Sequence, residues 1–347
     1  MKDAADGFDE NTITQVRELD ALVVRVRVPG DADGLELTHR PVQAPQGSEV
    51  RVRVRAAGVN RADIMQRRGV YPAPRGVVAD VLGLEYAGEI EAVGDAVLSA
   101  KVGDRVMGIV AGGAMSSSLL VHEREVIPVP TRFTWEEAAA IPEVFMTAWD
   151  ALFNQAELKP GMNVLIHAIG SGVGTAALQI ATQLGCRVFG TSRTESKLTR
   201  CASFGLRDGL LVASDGEFAA RVNMLTDGQG VDVIIDGVGG AYLEENIRSL
   251  AQRGTLVVLG LLAGANGSLP LGALLTKRAT IIGSVLRSRP LEEKIALARK
   301  FRKEALPLFI QGTLKPVVDQ VFPVERIAEA HRLIESNETF GKVVVTF

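Results

Sequence analysis

Cysteine is almost absent: Cys186 and Cys201 are the only two in 347 residues. Two thiols cannot staple a chain of this length, and their spacing is not that of a zinc cluster, so a reducing, cytoplasmic setting is expected. The four histidines, His39, His122, His167 and His331, are scattered without ligand spacing, and no bound metal is expected. Neither sign of charge dominates. The 38 Lys and Arg against 41 Asp and Glu leave a net charge of −3 and a pI near 5.9, which disfavours a phosphate backbone as the main partner, so no nucleic acid is expected. Long apolar runs are missing as well. The longest uncharged stretch, Gly254 to Thr276, is broken by five glycines, Asn266, Ser268 and Pro270, and reads as a buried strand and a loop rather than a membrane span. Met1 to Glu10 carries Asp3, Asp6, Asp9 and Glu10 and no apolar core, unlike a signal or transit peptide. Residues 1–20 read as a flexible tail.

What the chain has in excess is glycine, 36 residues beside only 5% aromatics, where the usual glycine share is about 7%. Glycine marks tight turns and close backbone approaches to a ligand. With 47% hydrophobic and 23% charged residues the chain is globular, and its length suggests about two domains.

From Ala21 to about Val129 the pattern is β-rich. Val50, Val52 and Val54 alternate with Arg51, Arg53 and Arg55, the period of a strand with one buried face; the arginines read as the wet face of an antiparallel sheet rather than a nucleic-acid stripe. Thr134-Trp-Glu-Glu137 is a capping-box signal opening a helix, and a second helix is expected over Phe145 to Gln155. Beyond it strands alternate with helices: Asn163–Ala168 then Gly174–Leu184, Cys186–Thr191 then Ser196–Phe204, Val231–Asp236 then Ala241–Ala251, and Thr255–Gly260. Such alternation builds a parallel sheet covered on both faces. A charged amphipathic helix over Leu291–Phe309, a helix near Val324–Ser336 and a strand over Lys342–Phe347 close the chain. The expected fold class is α/β, a doubly wound Rossmann domain over 146–289 joined to an irregular β-rich domain formed by 21–145 and 290–347.

Between the first strand and helix of the parallel sheet lies Ile169-Gly-Ser171-Gly172-Val173-Gly174. A strand that turns sharply into a helix aims free N–H groups at a pyrophosphate, and only small residues let the backbone come that close. A purely structural turn could carry the same glycines; the strand–turn–helix context favours a dinucleotide. The second strand ends in Gly190-Thr191-Ser192-Arg193, with Lys197 one turn on. An NAD-specific site would place an acidic residue there; two hydroxyls and two cations suit the 2′-phosphate of NADPH, though a basic, solvated helix start would look alike. The turns Asp236–Gly240 and Gly260–Gly264, holding Val238 and Leu261, are candidates for further cofactor contact. His167, within the first strand, reads as a buried core histidine.

Ala56-Ala-Gly-Val-Asn-Arg-Ala-Asp-Ile-Met65, Tyr71-Pro72, Leu82-Gly-Leu-Glu-Tyr-Ala-Gly-Glu-Ile-Glu-Ala-Val-Gly94 and the closing Gly341-Lys-Val-Val-Val345 resemble the medium-chain dehydrogenase/reductase superfamily over nearly the whole chain from Ala21. Zinc members carry Cys and His where Asn60 and Leu84 stand here, and neither replacement suits a catalytic zinc. The pattern is similar to the zinc-free, zeta-crystallin-like quinone oxidoreductases. Met65-Gln-Arg67, Ala138–Glu143, Ser171–Ala177, Leu275–Arg278 and Ser284–Arg289 point to their stress-inducible branch. The resemblance implies a GroES-like β domain, a homodimer formed through the nucleotide domain, and NADPH in the cleft. It also implies Asn60, Asp63 and Tyr71 beside the nicotinamide, Thr147 near its carboxamide, Ser192 and Lys197 at the 2′-phosphate, and Ser284 and Leu286 among the cofactor contacts. Two aromatics of many relatives fall at Ala213 and Ser118 here.

The expected activity is zinc-independent hydride transfer from NADPH to a quinone, with Asn60 and Tyr71 orienting the reactants and Asp63 holding local structure. Reduction of the C=C bond of an enone, alkenal or enoyl thioester uses the same cofactor and is the nearest alternative. A non-catalytic NADPH sensor or RNA binder is the alternative of another class.

Overall fold

The structure, a computed structural model, describes residues 20–212 and 216–347. The expected tail up to residue 19 and Ala213 lie outside the described residues; Asp20 already opens a strand.

Seven strands come first: β1 Asp20–Val26, β2 Leu35–Pro41, β3 Glu49–Val59, β4 Glu85–Val93, β5 Arg105–Ile109, β6 Ser118–His122 and β7 Ile127–Pro128. Six follow in the middle of the chain: β8 Asn163–Ile166, β9 Arg187–Ser192, β10 Asp208–Leu211, β11 Val231–Asp236, β12 Leu250–Val258 and β13 Thr280–Gly283. The last two are β14 Val318–Pro323 and β15 Lys342–Thr346. The middle six form one sheet in the order β10-β9-β8-β11-β12-β13, every pair parallel. Its order reverses direction between β8 and β11, and ligands of such sheets bind beyond the carboxyl ends of the strands at that point. A second sheet, β14-β15-β3-β4-β5-β7 with β6 on β3, takes in β15 from the far end of the chain, Val343 facing Val59. The α/β class with a separate β-rich sheet is thus the observed architecture.

Local signals account for much of this. Thr134 accepts the amide of Glu137 at 3.2 Å and Glu137 Oε2 accepts that of Thr134 at 3.0 Å, the reciprocal cap expected. In β3 the valines face the core while Arg51 and Arg53 both pair with Glu91, at 2.8 and 3.2 Å, so two of the three arginines of the basic stripe are charge-paired on the sheet face.

Several elements depart from expectation. The helix before β8 begins at Pro142, not Phe145, and after Trp149 it widens into a π-helical turn over Asp150–Gln155. The amphipathic segment after Pro290 is two helices, Leu291–Glu304 and Leu306–Ile310; Pro307 has no N–H to continue the ladder and suits a new first turn. Strand β10, the helix Ala219–Leu225 and strand β13 were not expected, and the stretch read as strand and loop holds the helix Leu271–Lys277. Its apolar residues face outward, Leu271 at 66% and Leu275 at 76% exposure, so the periodicity of a buried face is missing.

The two ends of the β domain meet at a buried guanidinium. Arg67, with none of its side chain exposed, donates to Gly30 O at 3.0 Å and to Glu335 Oε1 at 2.5 Å, while exposed Arg68 donates to the same oxygen at 2.5 Å. His331 lies against Arg67, and burial, then that cation, pushes its imidazole down to about 3. Losing the buried partner leaves unpaired groups in the interior, whereas an exposed pair contributes little. Arg67→Ala is therefore expected to lower unfolding free energy by about 3 kcal/mol and Arg68→Ala by less than about 1 kcal/mol, read by urea denaturation.

Candidate functional site

At the end of β8 the chain passes through Ala168, whose φ is +47°, into the helix Gly172–Gln183. Ser171 caps that helix, its Oγ accepting the Gly174 amide at 3.1 Å. Ser171 forms an isolated parallel β-bridge with Gly341, whose amide donates to Gly170 O at 2.9 Å, and this turns the Gly172 amide toward the Gly341 carbonyl; the Val173 amide has no partner among the described residues. A Cβ on Gly174 would stand 2.6 Å from the carbonyl oxygens of Ala168 and Ile169, so no other residue fits. A Cβ on Gly172 would stand 2.8 Å from Val144 and from the side chain of Lys342. The turn rests directly on a residue of β15.

Beneath the strand ends runs a buried polar chain. Asp236 accepts the amides of Val238 and Gly239 at 2.7 and 3.0 Å through one oxygen and Asn246 Nδ2 at 2.9 Å through the other. Asn246 must then turn its Oδ1 to His167 Nε2, at 2.6 Å, which makes that nitrogen the donor; Nδ1, 2.9 Å from Thr191 Oγ1, accepts. Burial holds the imidazole below its ordinary pKa. His167 is buried, as expected, but as the middle of a network joining β8, β9 and β11. Thr191 spends its hydroxyl there.

At the end of β9 a cavity of about 410 Å³ is lined by Arg193, Thr194, Ser196, Lys197, Ser336, Asn337 and Glu338. Lys197 Nζ donates to Asn337 O at 2.5 Å. Burial, then the neighbouring Arg193, lowers its pKa. Two cations thus meet in one recess with Glu338 as the only carboxylate of its lining. Ser192 does not line it: its Oγ is 3.0 Å from both the amide and the carbonyl of Thr194.

The turns after β11 and β12 lean on each other, Ala263 N donating to Val238 O at 2.8 Å, with Leu261 half exposed at the rim. Ser284 Oγ lies between Asp150, at 3.1 Å, and Arg289, at 3.0 Å, and Leu286 is core. Burial raises Asp150, but the hydrogen bonds from Arg289, Asn154 and Ser284 outweigh it and hold the carboxylate below its ordinary value.

From the β domain come Asn60, Asp63 and Tyr71. Asn60 donates to Gly58 O and to Glu85 Oε1 at 3.0 Å and accepts from Lys342 Nζ at 2.6 Å. Asp63 is fully buried and accepts the amides of Asn60 and Gly83 at 2.8 and 2.9 Å; burial outweighs these bonds and raises it to about 6. Both its oxygens hold backbone. Tyr71 is half buried with the Arg287 guanidinium 5.1 Å above its ring; burial raises the phenol and Arg287 opposes the rise. Leu84 is buried, and the place where the resemblance would put metal ligands is filled by the Asn60–Lys342–Glu85 contacts.

Four residues of this cleft were not singled out from sequence. Arg287 crosses between the sheets, donating to Ala111 O at 2.6 Å and to Gln66 Oε1 at 2.5 Å. Lys342 and Glu85 pair at 2.6 Å. Glu143 sits one turn before Thr147, and these two are the only half-buried residues of an otherwise buried helix Pro142–Trp149. A charge at a buried helix start, Pro142-Glu143, was the available signal.

Residues 46–131 match the alcohol dehydrogenase GroES-like domain and residues 172–302 the zinc-binding dehydrogenase domain. A phenolphthiocerol/phthiocerol polyketide synthase of Mycobacterium tuberculosis is 32% identical over 94% of this chain, which spans only 15% of that protein. Quinone oxidoreductase-like protein 2 of Bos taurus is 30% identical, with 90% of this chain and 88% of the relative covered. Among solved structures, the Escherichia coli quinone oxidoreductase complexed with NADPH superposes with a TM-score of 0.84 at 28% identity, covering 94% of this chain and all 100% of the other. The CurK enoyl reductase gives 0.83 at 29%, covering 94% and 99%. Because a relative aligns over nine-tenths of this chain and most of its own length, and both family domains follow in order, this chain belongs to the medium-chain dehydrogenase/reductase superfamily, in its zinc-free, quinone-oxidoreductase-like group.

Proposed function

We propose that the chain is an NADPH-dependent reductase that passes a hydride to a quinone; that it is an oxidoreductase of this superfamily follows from its relatives. The observation that carries the cofactor reading is the recess with Arg193 and Lys197 at the end of β9, a position where an acidic residue would repel a 2′-phosphate. The residues fit the group: the Val173 amide is unpaired at a helix start, where a pyrophosphate would lie, and open space adjoins Gly237 at the next turn. When bound, the nicotinamide supplies the hydride. Arg193 and Lys197 hold the 2′-phosphate, with Ser192 shaping the turn and Thr191 contributing backbone. Val238, Leu261, Ser284 and Leu286 border the cofactor's path, and Thr147 and Tyr71 flank the reacting ring. Asn60 orients, and Asp63 fixes the loop that carries Asn60. The β-rich domain of 21–145 and 290–347 and the nucleotide domain of 146–289 close the cleft, where holding donor and acceptor in contact supplies most of the acceleration.

The second reading, reduction of an enone or enoyl-thioester C=C bond, is favoured by the half-buried carboxyl of Glu143, since carbon needs a proton donor more than a quinone oxygen does. Turnover of 1,4-benzoquinone and of an enone with NADPH and NADH in parallel tests both; a quinone preference with NADPH is expected, and equal use of the two cofactors would overturn the role of Arg193 and Lys197. Replacing Arg193 and Lys197 together by Ala should weaken NADPH binding by about 10- to 100-fold, the scale of one or two charge-assisted bonds, and leave NADH nearly unchanged, read by cofactor fluorescence.

The chain is proposed to act as a homodimer in the cytoplasm. Strand β13 pairs only with β12 among the described residues, and Leu262, Leu271, Leu275, Ile281 and Val285 are exposed along that edge. An open edge with apolar side chains is a template for a second copy. No helix among the described residues is long and apolar enough to cross a membrane. Sedimentation should show a dimer that Ile281→Lys with Leu275→Asp converts to monomer.

A further inference from the structure

Every charged group deep in the cleft is satisfied except one. Glu85 takes Lys342 and Asn60 on one oxygen and the amide of Glu143 on the other, at 2.8 Å. Asp63 takes two amides, and Arg287 gives its protons to Ala111, Tyr71 and Gln66. The Glu143 carboxyl makes no hydrogen bond among the described residues. Its place is decided by the helix: residues four apart lie on one face, and Glu143 shares with Thr147 the only half-buried face of Pro142–Trp149, the others being packed into the core. Tyr71 and Arg287 are near enough for their charges to act on Glu143, and its own amide is bonded to Glu85 at 2.8 Å.

We propose that Glu143 is the proton donor of the cleft, delivering to the acceptor the proton that completes its reduction. This rests on the reductase reading above. The acceptor gains a hydride at one atom and must gain a proton at another, the oxyanion of a hydroquinone or the α-carbon of an enolate. The Glu143 O–H bond breaks, the proton goes to that atom, and the carboxylate left behind takes a proton from water. One NADPH and one solvent proton are consumed per turnover. The surroundings keep the acid loaded: burial first, then the nearby Glu85, with Asp63 adding and Lys342 and Arg287 opposing, raise Glu143 to about 8. Carboxyl groups so displaced serve as general acids near neutrality.

A donor must be protonated, so kcat should be level below pH 8 and fall above it. Stability gives a readout independent of turnover. The native state holds a proton that the unfolded chain releases above about pH 4.3, so this group's contribution to stability decreases as pH rises from there to about 8. Glu143→Gln removes that decrease.

The test measures kcat against pH for the full-length protein and for E143Q and E143D, with 1,4-benzoquinone and a 2-methyl enone. NADPH affinity and urea denaturation are measured from pH 5 to 8.5. Expected for E143Q are unchanged NADPH affinity, a loss in kcat of about 100-fold, the lower end of what a positioned acid contributes, no falling limb near pH 8, and a stability advantage over wild type that grows with pH. E143D should keep the limb. In D2O, deuterium should enter the α-carbon of the enone from one face in wild type and from both in E143Q. If wild type turns over either acceptor and E143Q keeps its rate and pH profile, the proton-donor role is overturned and the reductase reading stands. If wild type binds NADPH yet reduces neither acceptor, the reductase reading falls and the donor role with it.

Discussion

One buried ammonium ties the molecule together. Lys342, at the first position of β15, reaches Glu85, Asn60 and the carbonyl of Val59, at 2.6, 2.6 and 3.0 Å, so strands from opposite ends of the chain are locked around one charge. Its stem at the same time forms the floor under Gly172. A lysine in the interior is tolerated only where its three protons find acceptors, and here each acceptor belongs to the cleft. One residue thus touches the β15–β3 ladder, the Asn60 amide and the glycine turn after β8 at once.

The local parts of the design were legible. The phosphate turn, the capping box at Thr134 and the alternation in β3 each depend on neighbours within a few residues, where spacing and residue type carry the physics. The separation of Arg193 and Lys197 by one helical turn was visible for the same reason. What escaped was non-local: Glu143, Arg287 and Lys342 take their meaning from partners that approach only after both sheets have formed, Arg287 and Gln66 being 221 positions apart. The edge of the parallel sheet escaped for a different reason. Apolar residues of Leu271–Lys277 and β13 face outward, so the contrast between buried and wet faces on which periodicity reading depends is absent. Asn60, Asp63 and Tyr71 came from a family resemblance, and the geometry divides them: Asp63 holds backbone with both oxygens, whereas the Asn60 amide bonds Glu85 and Lys342 and the Tyr71 ring lies under the Arg287 guanidinium.

Charge in the cleft is arranged by neutralisation and exception. Glu91 quiets Arg51 and Arg53 of β3, Lys342 quiets Glu85, and the amides of Val238 and Gly239 quiet Asp236. Against this background the exceptions stand out chemically: the paired cations beside Asn337 and the unbonded carboxyl of Glu143. His167 shows how thoroughly the rest is committed, since its proton position follows from Asp236 through Asn246 with no freedom left.

The chain passes from the mixed sheet to the parallel sheet through residues 129–162, which hold Asp150, and returns through 284–317, which hold Arg289. Those two crossing points are themselves bolted together, both oxygens of Asp150 meeting the guanidinium of Arg289 at 3.0 and 2.7 Å. Any change in the spacing of the two sheets must therefore break or carry along this ion pair, together with the bonds from Gly341 N to Gly170 O and from Arg287 Nε to Ala111 O that tie them elsewhere.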